Sequence, residues 1–147
     1  MNHVTYEEYL EENGSLTYRN VGTSMLPLLK QGRDLFTVER KTQARCKKYD
    51  VVLYRRPPGQ YVLHRIVQVR DADYVLLGDN CINKEYGIKD DDVLGVMTGY
   101  VRKGKHKSCK SFSYLIYSRA WTWMSPVRIL GTRLWFKLSR LRKKRKG

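Results

Sequence analysis

The sequence is poor in cysteine, and its three cysteines form no recognisable pattern. Cys46, Cys81 and Cys109 are odd in number and far apart, and no CxxC or HxxxH spacing accompanies them. We therefore predict neither a disulfide framework nor a zinc site, because both need paired cysteine or histidine residues at suitable spacings. No other motif indicates a metal or a cofactor, so we expect none.

The sequence also lacks a long apolar run. Its first 20 residues contain four glutamates and no apolar core of the kind found in signal peptides. The most apolar stretch, FSYLIYSRAWTWMSPV at 112–127, is interrupted by Arg119. We therefore expect neither a signal peptide nor a transmembrane anchor, since a spanning helix needs about 20 mostly apolar residues.

Acidic residues are absent from the last third of the chain. The 147 residues include 29 Lys and Arg against 14 Asp and Glu, which gives a net charge of +15. Residues 1–100 contain 14 basic residues and all 14 acidic ones, so the whole excess charge lies within residues 101–147. The length suits one domain with a core. The charge asymmetry predicts a neutral body joined to a cationic segment that faces a polyanionic surface.

The chain contains one short predicted helix, followed by a series of short segments in which apolar and polar residues alternate. Thr5 and Glu8 match a capping box, and Asn13 with Gly14 matches a helix stop. Strands are predicted where apolar residues alternate between turn residues, and the PPG sequence at 57–59 indicates a hairpin. We therefore predict a mostly β, antiparallel fold with a short N-terminal helix. The predicted strands cover residues 15–21, 34–40, 49–56, 60–70, 74–80 and, after an irregular stretch over 81–92, a last strand at 93–101.

Ser24 lies in a cramped turn, GTSMLPLL at 22–29, with Met25 beside it and Pro27 shortly after. A serine presented on a tight loop can act as a nucleophile. Considered alone, such a stretch is explained better by ordinary loop hydroxyls next to core side chains, because short motifs often occur by chance. The turn is therefore a candidate site only in combination with other motifs.

His64 supplies the second motif, because it alternates with Val62 and Ile66 in a predicted strand. It is either a semi-buried structural histidine or a general base. Burial keeps an imidazole neutral at pH 7, and a neutral imidazole can take the proton of a serine. Downstream, Asp79 and Glu85 are acids that can reach the ring and fix its tautomer.

Together these motifs resemble the type I signal peptidase and LexA-like clan of serine peptidases. GTSMLPLL resembles its nucleophile box and LLGDNCINKE (76–85) its Gly-Asp-Asn box. Three strands of the family are matched by YDVVLYRR (49–56), VLHRIVQV (62–69) and DDVLGVM (91–97). The resemblance covers about residues 17–103. Most bacterial members have Lys as the base where this chain has His64, so the closest subgroup is the His-base one, the endoplasmic-reticulum and SipW-like signal peptidases.

The resemblance implies a signal-peptidase-like antiparallel β catalytic fold and a role for each matching residue. Ser24 is then the nucleophile and His64 the general base, and either Asp79 or Glu85 orients the imidazole. The Ser24 N–H, helped by the Thr23 hydroxyl, is the implied oxyanion donor.

Met25 either shapes the wall near the substrate pockets or simply packs in the core. The implied function is that of a serine endopeptidase that cleaves a signal, leader or regulatory peptide from a peptide or preprotein substrate. Typical signal peptidases carry an N-terminal transmembrane helix, which we do not expect here, so a cytosolic processing peptidase fits better.

Two other classes of function stay open. A LexA-like self-processing regulator needs a DNA-binding domain, for which residues 1–16 are too few, and a non-catalytic basic module would bind membrane or nucleic acid.

The cationic segment has the pattern of an amphipathic helix. One helical stripe contains Val127, Leu130, Leu134, Leu138 and Leu141, and the basic residues lie largely off it. This pattern is typical of binding to an anionic membrane surface, and it favours a membrane over the two alternatives, a packed helical hairpin and nucleic-acid binding.

The predicted organisation has three parts: an N-terminal helix over 1–16, a peptidase domain over 17–105 and a basic amphipathic helical tail over 106–147. We expect the tail to determine the cellular location of the protein, because it carries the whole excess charge. The expected location is the periphery of a membrane, on its cytoplasmic face, with the cytoplasm as the alternative.

Overall fold

The computed structural model describes residues 3–146 and contains an antiparallel sheet of eight strands with three α-helices. The predicted mostly β fold, with a short N-terminal helix and a helical C-terminal segment, is confirmed. The elements in chain order are α1 (Tyr6–Asn13), β1 (Ser15–Arg19), β2 (Leu35–Arg40), β3 (Val51–Arg56), β4 (Gln60–Val69), β5 (Tyr74–Leu77), β6 (Glu85–Ile88), a 3-10 turn (Asp90–Asp92), β7 (Val93–Arg102), β8 (Lys105–Ser108), α2 (Phe112–Trp123) and α3 (Ser125–Lys146).

Helix α1 begins and ends as its capping signals predict. The Thr5 hydroxyl accepts a hydrogen bond from the Glu8 N–H (3.2 Å), and the Glu8 carboxylate accepts one from the Thr5 N–H (2.8 Å). Gly14 ends the helix in the left-handed conformation, with φ 74°, and its N–H donates to the Leu10 carbonyl. Leu10 is buried in the core, which attaches the helix to the sheet.

The sheet has the strand order β1-β2-β7-β3-β4-β5-β6, and β8 pairs with β7. The predicted hairpin joins β3 to β4, in a register that sets Val52 opposite His64. Two strands were not predicted, since β6 lies in the stretch expected to be irregular and β8 follows the strand expected to be the last. Both are short and mostly exposed. Without alternating burial they show no hydrophobic periodicity, and backbone pairing with a neighbouring strand defines them.

The two faces of the sheet pack against separate cores. Strand β4 contributes Leu63 to the first core and Ile66 to the second, so the predicted alternation of its side chains is confirmed. His64 therefore shares a face with Ile66, while Arg65 points the other way with Leu63. The first core also contains Leu10, Met25, Leu28, Leu29, Val38, Leu53 and Tyr114, and the second contains Cys46, Val52, Tyr54, Tyr74 and Leu76.

The helical C-terminal segment consists of two helices, α2 and α3, which differ in how far they pack. Helix α2 buries Tyr114 in the first core, whereas α3 leaves most of its side chains exposed. The boundary between them falls at Met124, and Pro126 occupies the first turn of α3, where it needs no N–H partner. In the described part of the chain, no helix has the length and apolar character to cross a membrane.

Candidate active site

The Ser24 turn is anchored by the apolar residues that follow it. Met25, Leu28 and Leu29 are buried in the first core, with Met25 only 1% exposed. The Leu29 N–H donates to the Met25 carbonyl at 2.9 Å, which closes the turn. Ser24 itself is half-buried at the start of the turn. The Met25 side chain therefore packs in the core, and its anchoring holds Ser24 at the surface.

The Gly-Asp-Asn sequence after β5 holds this turn from the other side. The Asn80 N–H donates to the Ser24 carbonyl at 2.8 Å, and the Asn80 side-chain amide donates to the Thr23 carbonyl at 3.2 Å. Two donors from one residue therefore fix the backbone on which Ser24 is carried. Thr23 is exposed, and within residues 3–146 the Ser24 N–H has no acceptor, so it is available as an oxyanion donor.

Gly78 lies where the Ser24 turn meets the His64 ring. A Cβ atom at Gly78 would stand 2.8 Å from the Ser24 carbonyl oxygen, 2.9 Å from His64 Nε2 and 2.6 Å from Cys81 Sγ. All three distances are too short for a carbon atom, so this position admits only glycine. Because one position is this close to both groups, the turn that contains the predicted nucleophile lies near the predicted base.

The other nitrogen of the imidazole is held by Tyr54. The Tyr54 hydroxyl lies 3.1 Å from His64 Nδ1 and donates to Glu85 Oε2 at 2.8 Å, while Nδ1 lies 3.6 Å from Glu85 Oε1. A hydroxyl that gives its proton to a carboxylate accepts one from the ring, so Nδ1 carries the hydrogen. Nε2 then presents its lone pair toward Gly78 and the Ser24 turn.

Burial sets the charge state of these groups. The pKa of His64 is lowered from 6.5 to about 4, first because burial disfavours the charged ring and second because Arg56 is nearby, while Asp79 acts in the opposite direction. Burial also raises the pKa of Tyr54 to about 12. At pH 7 His64 is therefore neutral and able to accept a proton, and Tyr54 keeps its hydrogen. Arg56 forms an ion pair with Glu85, which offsets the charge of that carboxylate.

Nε2 faces a thiol in the resting site. In the described part of the chain its one hydrogen-bond contact is with Cys81 Sγ, at 4.0 Å, and no hydrogen bond joins it to Ser24 Oγ. Catalytic hydrogen bonds are often long or unformed before a substrate binds. His64 Nε2 therefore lies close to the backbone of the Ser24 turn, without a hydrogen bond to the Ser24 hydroxyl.

Asp79 is occupied by other partners than His64. Its carboxylate accepts two hydrogen bonds from Arg65, at 2.8 and 2.9 Å, and one from the Tyr117 hydroxyl at 2.7 Å. Asp79 and Arg65 are almost completely buried, at 2% and 1% exposure. Of the two acids that the sequence offers, Glu85 is the one on the Nδ1 side of His64, and Asp79 forms a buried ion pair on the opposite face of β4.

Helix α2 closes over this ion pair. Arg65 donates to the Tyr114 hydroxyl at 3.1 Å, and the Trp121 indole N–H donates to the Asp79 carbonyl at 2.8 Å. Together with Tyr117, these side chains connect the C-terminal segment to the loop that holds Ser24. Further along, Arg128 of α3 donates to the Cys81 carbonyl at 3.1 Å. The helices of the predicted tail therefore brace the candidate active site directly.

Several residues that complete this site were not among the candidates, including Tyr54, Arg56, Arg65 and Tyr117. Arg65 carries a usable signal, since an arginine inside an apolar strand needs a buried carboxylate partner. No sequence signal identifies Tyr54, because its contact with His64 depends on the pairing register of β3 and β4.

Comparisons with models of protein families, with curated proteins and with solved structures find no match for this chain. Among residues 3–146 there is no group of three or more His, Cys, Asp or Glu side chains placed to hold a metal ion.

Proposed function

We propose that this protein is a serine endopeptidase with a signal-peptidase-like catalytic fold, in which Ser24 is the nucleophile and His64 the general base. One observation carries the proposal. The Ser24 turn and His64 Nε2 converge on Gly78, while Nδ1 is held by Tyr54 and Glu85. A nucleophile beside a base that is itself oriented by a third group is the arrangement that activated serines require.

In the proposed reaction, Ser24 Oγ attacks the scissile carbonyl carbon and its proton passes to His64 Nε2. The oxyanion is stabilised by the Ser24 N–H. The imidazolium then donates its proton to the amine nitrogen as the C–N bond breaks, which leaves an acyl ester on Ser24. A water molecule, deprotonated by Nε2, hydrolyses the ester, and the proton returns to Oγ. Throughout, Nδ1–H stays directed at Tyr54, whose hydroxyl transmits the influence of the Glu85 carboxylate to the charged ring.

The proposed substrate is an extended segment of a peptide or preprotein, such as a signal, leader or regulatory peptide. Cleavage in trans and self-cleavage differ in their concentration dependence, because only the former speeds up when enzyme concentration is raised. A LexA-like regulator would shorten itself at a rate independent of concentration, which intact-mass measurements on the purified chain would reveal.

Covalent labelling tests the proposal. The wild-type chain is incubated with a serine-directed acylating probe, and the modified residue is located by peptide mapping. We expect modification at Ser24, its loss in Ser24→Ala, and a decrease of orders of magnitude in His64→Ala. Ser139→Ala is the matched control, because Ser139 lies on α3 with its hydroxyl bonded to the Phe136 carbonyl. Equal labelling of the wild type and Ser24→Ala would overturn the proposal and favour a non-catalytic binding module.

A further inference from the structure

Helix α3 exposes a continuous row of apolar side chains. Leu130, Leu134 and Leu138 are 69%, 54% and 50% exposed although each is large and apolar. Exposed contiguous apolar surface of this kind marks an interaction site in soluble domains. We call this row the apolar stripe of α3, and its members are Val127, Leu130, Leu134, Leu138 and Leu141.

The contacts of α3 with the body settle which way the stripe points. Arg128 donates to the Cys81 carbonyl at 3.1 Å and Arg133 to the Ile82 carbonyl at 3.5 Å. The less exposed residues between these two arginines are Ile129 and Thr132. With about 100° of rotation per residue, they lie on the side of the helix opposite to Leu134 and Leu138. The body therefore holds one side of α3, and the apolar stripe faces away from it.

Positive charge accompanies the stripe. Seven basic residues and no acidic ones occur within 137–146, and the last turn contains four of them. Within residues 3–146 none of these seven takes part in an ion pair. The surface therefore combines apolar side chains with uncompensated cations along a helix of about 33 Å, taking 1.5 Å per residue.

We infer that the apolar stripe of α3 docks on an anionic phospholipid bilayer, with the helix lying in the plane of the interface. A bilayer interface offers acyl chains to the leucines and negatively charged headgroups to the flanking Lys and Arg at the same time. A nucleic acid would neutralise the cations but leave the leucines in water. An acidic protein partner would need a matching apolar groove as well. The protein is then a peripheral membrane protein whose catalytic loop sits on the far side of α3 from the lipid.

The test uses the full chain and extruded vesicles of phosphatidylcholine, with or without phosphatidylglycerol. We expect the fraction that sediments with vesicles to rise about tenfold or more when the anionic lipid is present, and to fall as salt is added. Leu134→Ser combined with Leu138→Ser should lower binding about tenfold or more, because it removes two of the five apolar side chains of the stripe while keeping the charge.

Charge is tested separately. Lys143→Gln combined with Lys144→Gln should weaken binding to anionic vesicles about tenfold or more. The matched control is Lys107→Gln combined with Lys110→Gln, which changes the net charge equally but lies outside α3, so its binding should stay close to that of the wild type. Labelling at Ser24 should be unchanged in all of these variants, which keeps this test independent of the peptidase proposal.

Three outcomes would overturn the inference. Equal sedimentation with and without phosphatidylglycerol would exclude recognition of an anionic surface. Salt-sensitive retention of an RNA oligonucleotide that the leucine variant leaves unchanged, without vesicle binding, would identify nucleic acid as the partner. Resistance of the vesicle-bound protein to high salt and carbonate would mean that the helix inserts instead of lying in the interface.

Discussion

The Tyr54 hydroxyl stands between Glu85 and His64, 2.8 Å from the carboxylate and 3.1 Å from Nδ1 of the ring. The carboxylate therefore reaches the imidazole mainly through a tyrosine, and Tyr54 decides which ring nitrogen carries the hydrogen. The Tyr54 hydroxyl is hydrogen-bonded to Nδ1 and Glu85, away from Nε2, so in the proposed mechanism Tyr54 positions the base.

Tyr54→Phe should lower the rate of Ser24 acylation about tenfold or more, because removal of the hydroxyl frees the ring to take the other tautomer or to turn. ¹⁵N NMR of His64 should show a shift of the hydrogen from Nδ1 toward Nε2. Tyr74→Phe is the matched control, since Tyr74 is also a buried tyrosine of the second core whose hydroxyl is bonded. A wild-type tautomer and rate in Tyr54→Phe would remove Tyr54 from the site.

Substitutions of Glu85 and Asp79 should have different effects, the first on acylation of Ser24 and the second on stability. Glu85→Gln should reduce acylation of Ser24 while the protein stays folded, because the amide no longer offsets the charge of the imidazolium. Asp79→Asn should lower the free energy of unfolding by about 3–5 kcal/mol, because it leaves the Arg65 charge buried without a carboxylate. Denaturant unfolding and labelling of each variant would measure both effects.

Asp71→Asn is the control for the acid variants, because Asp71 is exposed in the turn before β5. It should change neither stability nor labelling. If Asp79→Asn stayed as stable as the wild type and lost activity, Asp79 would be the acid that orients the base.

The rate of Ser24 acylation should rise with pH through one ionisation near pH 4. The sign follows from the chemistry, since only neutral His64 accepts a proton and burial holds the pKa of its ring down to about 4. The rate should thus be nearly constant between pH 6.5 and 8, where a histidine with an ordinary pKa of about 6.5 would still be titrating at the lower end. Rate measurements with the acylating probe across this range would show it. An inflection in the range of amines would point to a lysine base such as Lys84 or Lys89 instead.

Gly78→Ala should abolish labelling at Ser24, because the added methyl group would overlap the Ser24 carbonyl and the His64 ring at under 3 Å. We expect a loss of stability of about 1–3 kcal/mol as well. Gly131→Ala is the matched control, since a Cβ there meets no atom within 4 Å. Wild-type acylation by Gly78→Ala would contradict the close approach of the turn and the base.

Local sequence patterns were sufficient to predict the helices and strands that bury one face. The capping residues of α1 and the alternation of β4 were predicted from the sequence because each depends on residues close together in the chain. Strands β6 and β8 were missed because their side chains are largely exposed and only pairing with a neighbour makes them strands.

The site divides in the same way. Ser24 and His64 belong to recognisable motifs, and the structure brings these motifs together at Gly78. Tyr54 and Arg65 were missed because their roles arise from the register of β3 against β4 and from the docking of α2, which no short stretch of sequence encodes. The choice between Asp79 and Glu85 likewise depends on which face of the sheet each acid reaches.

The contacts of Tyr117 and Trp121 with Asp79 determine when, during translation, the site can be completed. Translation delivers Ser24 and His64 well before the residues of α2, so a nascent chain has both reactive groups while the Arg65–Asp79 pair is still open to water. The loop that carries Asn80 gains its last supports only when the C-terminal segment has left the ribosome. Support of the Ser24 turn through Asp79 and Asn80 is therefore completed later than the synthesis of Ser24 and His64, once α2 has folded onto Asp79.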